Sequence, residues 1–139
     1  MSRVINTASP GKVRSRARRT IAEMLRALSL KQDTDDEAKD MAALIVIALQ
    51  EIVATIDVTT AAWEKRDYYL KADRFRLEWE WVKPAAKRLE SLILEEQWDQ
   101  VPLELMALAP RFSDVRIAKM TRSATDWRGC HQRLLADDQ

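Results

Sequence analysis

A chain of 139 residues, 47% hydrophobic and 32% charged, fits one globular domain and excludes a disordered or fibrous protein. Two Gly and four Pro leave few breaks, and the rest of the composition favours helix. A net charge of +1 excludes a uniformly basic or acidic surface, so any electrostatic partner must be met by a local patch.

The first predicted element starts at Ser9-Pro10, a capping residue followed by a proline suited to the first helical position. Val13, Ala17, Ile21, Met24, Leu25 and Leu28 then share one face of a helix over about residues 10–30. Residues 1–22 carry six bases, Arg3, Lys12, Arg14, Arg16, Arg18 and Arg19, and no acid. On a helical wheel Lys12, Arg16 and Arg19 oppose the apolar face, while Arg14 and Arg18 flank it. Residues 1–8 precede the helix and are expected to be flexible.

The break KQDTDDE follows, with Thr34 as a candidate cap and Asp35, Asp36 and Glu37 where the helix dipole favours acids. A second helix over about 35–66 has apolar residues on more than one face, from Met41 to Ile56, and should be central. A third, over about 68–97, repeats Tyr68, Ala72, Phe75, Trp79, Val82, Ala86, Leu89 and Ile93 at alternating spacings of four and three, the seam of an antiparallel packing. Pro84 predicts a kink or a break near Trp81–Lys83, and the seam, which stays in register across it, favours a kink. A short helix is expected within 99–110, irregular chain over 111–122, and a last helix within 123–135, capped by Ser123 or Thr125. The expected architecture is all-α: one domain spanning 1–139, a bundle of three main helices plus two short C-terminal helices, with 111–139 packing on the bundle.

The basic first helix is the leading candidate site. Arg3, Lys12, Arg14, Arg16, Arg18 and Arg19 are placed to grip nucleic-acid phosphates, RNA or DNA, without reading sequence. The ordinary alternative is a solvated helix face, and a transit peptide is a third reading, disfavoured by the core-like apolar face. A second candidate is residues 63–81, where Trp63, Tyr68, Tyr69, Phe75, Trp79 and Trp81 interleave with Lys65, Arg66, Lys71, Arg74 and Arg76. Such a mixture suits stacking on bases, although the seam claims Tyr68, Phe75 and Trp79 for the core and acids match the bases. Leu70, Leu77 and Trp81 lie opposite the seam and need cover, either from the C-terminal segment or from a protein partner or second copy.

Signals of catalysis are poor. Adjacent Cys130 and His131 point about 100° apart on a helix, so the chain is not expected to be an enzyme. Glu51 and Asp57 within the second helix fit solvent or an ion pair better than a metal, the one His excludes a paired Glu-x-x-His centre, and no cofactor motif is present. A single cysteine, no apolar segment after the N-terminal charges, and a longest apolar run of nine residues (41–49) point to a cytoplasmic protein without a membrane partner. The expected function is therefore a non-enzymatic binding or assembly subunit on nucleic acid, with a protein-interaction module or homo-oligomeric bundle as the alternative.

Overall fold

The computed structural model describes residues 8–138, so Arg3 and residues 1–7 of the expected flexible segment lie outside the described residues. The first helix, α1 (Pro10–Ser29), starts where Ser9 Oγ accepts from the Lys12 N–H at 3.2 Å and Pro10 takes the first position. Its buried face is Ala17, Ile21, Ala22, Met24 and one acid, Glu23. The second, α2 (Asp36–Lys65), is capped by Asp35, whose side chain accepts from Ala38 N at 2.8 Å. Thr34, the expected cap, lies one residue outside it.

At thirty residues α2 is the axis of the molecule, with α1 and four of the later helices packed around it. Ile45, Val46, Leu49 and Ile52 are wholly removed from solvent. Among the described residues α2 also has the length and composition of a membrane-crossing helix, which the nine-residue apolar run did not suggest. Here its apolar residues are met by other helices on several sides.

The predicted third helix is two. Helix α3 (Tyr69–Glu78) stops at Trp79, and α4 (Val82–Leu94) begins after a turn at Glu80 and Trp81. Pro84 has no N–H for the Glu80 carbonyl, and its ring would collide with it in a continuous helix. Restarting at Val82 puts Pro84 in the first turn of α4, where helix N–H groups lack partners anyway. The seam survives the break: Val82, Ala86, Leu89 and Ile93 are buried and Phe75 and Trp79 half-buried. It begins later than expected, because Tyr68 is the exposed residue before α3.

Two helix ends close alike. Asp67 after α2 and Glu96 after α4 have φ of 63° and 56°. Around them Tyr68 N–H reaches Trp63 O at 2.9 Å, and Gln97 N–H reaches Leu92 O at 2.8 Å, the Schellman pattern usually built with glycine.

Beyond Trp98 come α5 (Val101–Leu108), a 3₁₀ turn at Ala109–Phe112, and an irregular strap over 113–123. The predicted last helix is again two, α6 (Ala124–Trp127) and α7 (Cys130–Asp137), because Gly129 between them adopts φ 84°. Ser123 and Asp126 form a capping box for α6. The start of α7 is capped from α2, where the Asp40 carboxylate accepts from Gly129 N at 3.2 Å and His131 N at 3.0 Å. One apolar core joins α1, α2, α4, α5 and α7.

Candidate nucleic-acid interface

Within the basic row of α1 the side chains meet three different fates. Lys12 and Arg16 are exposed and form no ion pair among the described residues. Arg14 is drawn inward: its Nη1 donates to Thr55 Oγ1 at 3.2 Å, and its guanidinium lies 4.9 Å from the Phe75 ring and 5.8 Å from that of Trp79. Burial pulls the Arg14 pKa below its ordinary value, with Glu78 opposing, but a guanidinium stays charged throughout.

Arg18 and Arg19 turn towards the strap. Arg18 Nη2 donates to Asp114 Oδ1 at 2.6 Å and to the Arg111 carbonyl at 3.2 Å, with its guanidinium 5.6 Å from the Phe112 ring. Arg19 Nη1 and Nη2 reach the carbonyls of Arg116 and Lys119 at 3.0 and 2.7 Å. Arg26, two turns on, donates to the Ile117 carbonyl at 3.0 Å. From the strap Arg122 answers, donating to the Arg16 carbonyl at 3.0 Å and Thr20 Oγ1 at 3.0 Å.

Glu23 anchors this comb. Its side chain is fully buried and accepts from Arg19 Nε at 2.6 Å, Thr121 Oγ1 at 2.6 Å, and the N–H groups of Thr121 and Arg122, both at 2.8 Å. Burial pushes its carboxyl upward, but hydrogen bonds from the Thr121 hydroxyl, the Arg122 N–H, Arg19 and the Thr121 N–H outweigh that and hold the pKa at about 2. On a helical wheel Glu23 falls among Lys12, Arg16 and Arg19, so what the sequence shows of it is its spacing of four residues from Arg19, and its burial is decided by the strap.

The strap brings cations of its own. Arg116 and Lys119 in the strap, and Arg111 in the 3₁₀ turn before it, are exposed and lack an ion pair among the described residues, while their carbonyls bind α1 arginines. Together with Arg18, Arg19, Arg26 and Arg122, whose Nη1 lies 3.9 Å from Glu23, they make seven cations along this face, against buried Glu23 and exposed Asp114. Neutral carbonyls take up hydrogen bonds without cancelling charge. At the other end of the row the balance is closer, since Glu51 and Asp126 share a polar hollow with Arg16 and Arg122.

The aromatic stretch is largely used internally. Trp63, Phe75, Trp79, Trp81 and Phe112 form a ladder with ring centroids 5.1, 6.2, 6.0 and 5.9 Å apart. Trp81, one of the three residues in need of cover from the C-terminal segment or a partner, is half-buried, with Phe112 on its edge and the Arg111 guanidinium 4.8 Å from its ring. The 3₁₀ turn thus covers one member of that line. Leu70 and Leu77 remain 64% and 66% exposed, and Ala72 is the sole buried residue of α3.

Cys130 and His131 are held apart in role. The buried thiol donates to the Asp126 carbonyl at 3.4 Å, and burial, with Asp40 next, raises its pKa above the ordinary thiol value. The His131 ring packs against Trp98 at 5.3 Å. Glu51 and Asp57 are exposed, and no cluster of three His, Cys, Asp or Glu able to hold a metal occurs among the described residues. A mainly apolar cleft of about 310 Å³, between the end of α1 and α5, is walled by Leu25, Leu28, Trp98, Val101 and Leu105. No family model matches the chain, and no curated protein or solved structure matches it significantly.

Proposed function

We propose that this chain is a non-enzymatic binding subunit that contacts nucleic-acid phosphates through the face shared by α1 and the strap. The observation that carries the reading is the meeting of Arg18, Arg19 and Arg26 with Arg111, Arg116 and Lys119, where the strap offers mostly neutral carbonyls. Charge left uncancelled at a surface attracts a polyanion and releases its counterions. The test is fluorescence anisotropy with labelled RNA and DNA. Neutralising four phosphates implies roughly 100-fold weaker binding on going from about 50 to 200 mM salt. Reversing exposed Arg116 and Lys119 to Glu should abolish binding with helicity unchanged. Absence of binding at low salt, or binding indifferent to that reversal, refutes the reading.

A second reading is a protein-interaction module or self-associating bundle using α3. It is favoured by Leu70 and Leu77, exposed seven residues apart on a ten-residue helix with one buried side chain. So short a helix gains most of its stability from packing, and a partner would supply it. Sedimentation velocity over a concentration series should then show a larger species that Leu70→Glu with Leu77→Glu dissolves. A monomer at every concentration removes the self-association form.

A further inference from the structure

We propose that the open groove at the α2–α3 turn is a base-stacking site, giving the chain a preference for single-stranded over duplex nucleic acid. The proposal rests on the nucleic-acid reading above and concerns a different surface. The groove encloses about 970 Å³ and is walled by Trp63, Arg66, Tyr68, Tyr69, Lys71 and Arg74, among others. Tyr68 and Tyr69 are 46% and 56% exposed, so the core does not use their rings as it uses Phe75 and Trp79. The Schellman turn at Asp67 ends α2 there and sends the chain outward at these two tyrosines.

Cations surround the rings. The Arg66 guanidinium lies 5.0 Å from the Tyr68 ring centre, and the Lys71 ammonium 4.4 Å from that of Trp63. Arg66, Lys71 and Arg74 have no ion pair among the described residues, and three cations outnumber the two acids of the wall, Asp67 and Glu78. Charge and ring faces therefore occur together, which fits phosphates alongside unpaired bases. A duplex hides its base faces in its own stack and offers the groove only phosphates, whereas a single strand offers both. Stacking on tyrosine is tolerant of sequence, so the preference is for strandedness and not for a base.

The experiment compares short single-stranded RNA, single-stranded DNA and a duplex of equal length by anisotropy at about 50 mM salt. The expected result is single-strand binding about tenfold tighter than duplex binding. Tyr68→Ala with Tyr69→Ala should remove that advantage and leave duplex binding unchanged. Tyr68→Phe with Tyr69→Phe should keep it, because the rings remain. Circular dichroism of each variant confirms that α3 is retained. If single strand and duplex bind alike, if the alanine variant keeps its advantage, or if the phenylalanine variant loses it, the groove proposal is overturned while the α1–strap reading stands. Absence of any binding overturns both. Binding lost on reversing Arg116 and Lys119, with no dependence on the tyrosines, likewise overturns the groove alone.

Discussion

The centre of α2 and the strap over 113–123 are held by opposite means. Around Ile45, Leu49 and Ile52 there is almost nothing but apolar contact, and the energy comes from area withdrawn from water. The strap has only Val115 and Ile117 packed against the core, and it is fixed by arginines, carbonyls and one buried carboxylate. Hydrophobic burial is non-directional and indifferent to pH. A polar clasp is directional, depends on protonation, and fails when one member is removed, since the others are left buried without partners.

Substitutions should separate the two regions. The largest effect is expected from Leu49→Ala, which opens a cavity beside Ile45 and Ile52; urea unfolding should show a loss of about 3 to 4 kcal/mol. Glu23→Gln comes next. It keeps the volume but offers N–H groups where Arg19 and the Thr121 and Arg122 amides already donate, so a loss of about 2 to 3 kcal/mol is expected. Limited proteolysis should show cleavage in the strap before the helices, and equal protection of both would refute the clasp.

Acid should mimic that variant. Glu23 has a folded pKa of about 2 against an ordinary 4.5. A depressed carboxyl stabilises the fold fully above the unfolded value, and the contribution is lost as pH falls from about 5 towards 2. That contribution is about 3 kcal/mol, from the size of the depression. The Leu49→Ala variant should show this acid dependence in full and the Glu23→Gln variant only the smaller part that Asp35 and Asp114, whose carboxyls are also held below the usual range, contribute; denaturant melts at pH 6 and pH 3 would measure it.

Smaller effects test the periphery. Arg18 and Asp114 form a short ion pair, but Asp114 is exposed, so Asp114→Asn should leave the thermal melting midpoint nearly unchanged. Glu96→Gly should stabilise: the left-handed backbone at φ 56° suits glycine, and thermal melting should show a gain of about 0.5 to 1 kcal/mol. A loss there would mean that the Glu96 side chain contributes something its backbone strain conceals.

Legibility followed the range of the interactions. The all-α class, the start of α1 at Ser9-Pro10, the central place of α2 and the seam from Phe75 to Ile93 are local matters of capping, propensity and period, and they were readable along the chain. The splits at Glu80–Trp81 and Gly129 were half readable. Pro84 announced a disturbance, but whether a helix bends or restarts depends on what packs on either side.

The candidate site was the least legible part. The sequence by itself determined that basic residues crowd the first helix, that Leu70 and Leu77 face away from the seam, and that the chain folds as a helical bundle. Only the tertiary structure decided that Arg14 lies on aromatic rings, that Arg18 and Arg19 bind the strap, that Phe112 covers Trp81, and that Arg111, Arg116 and Lys119 join the basic face. The physical reason is distance along the chain. Arg19 meets the Lys119 carbonyl across 100 residues, and Glu23 meets the Arg122 N–H across 99. No local period or spacing records such pairings; they exist only once the chain has brought α1 and the strap to the same side of the bundle.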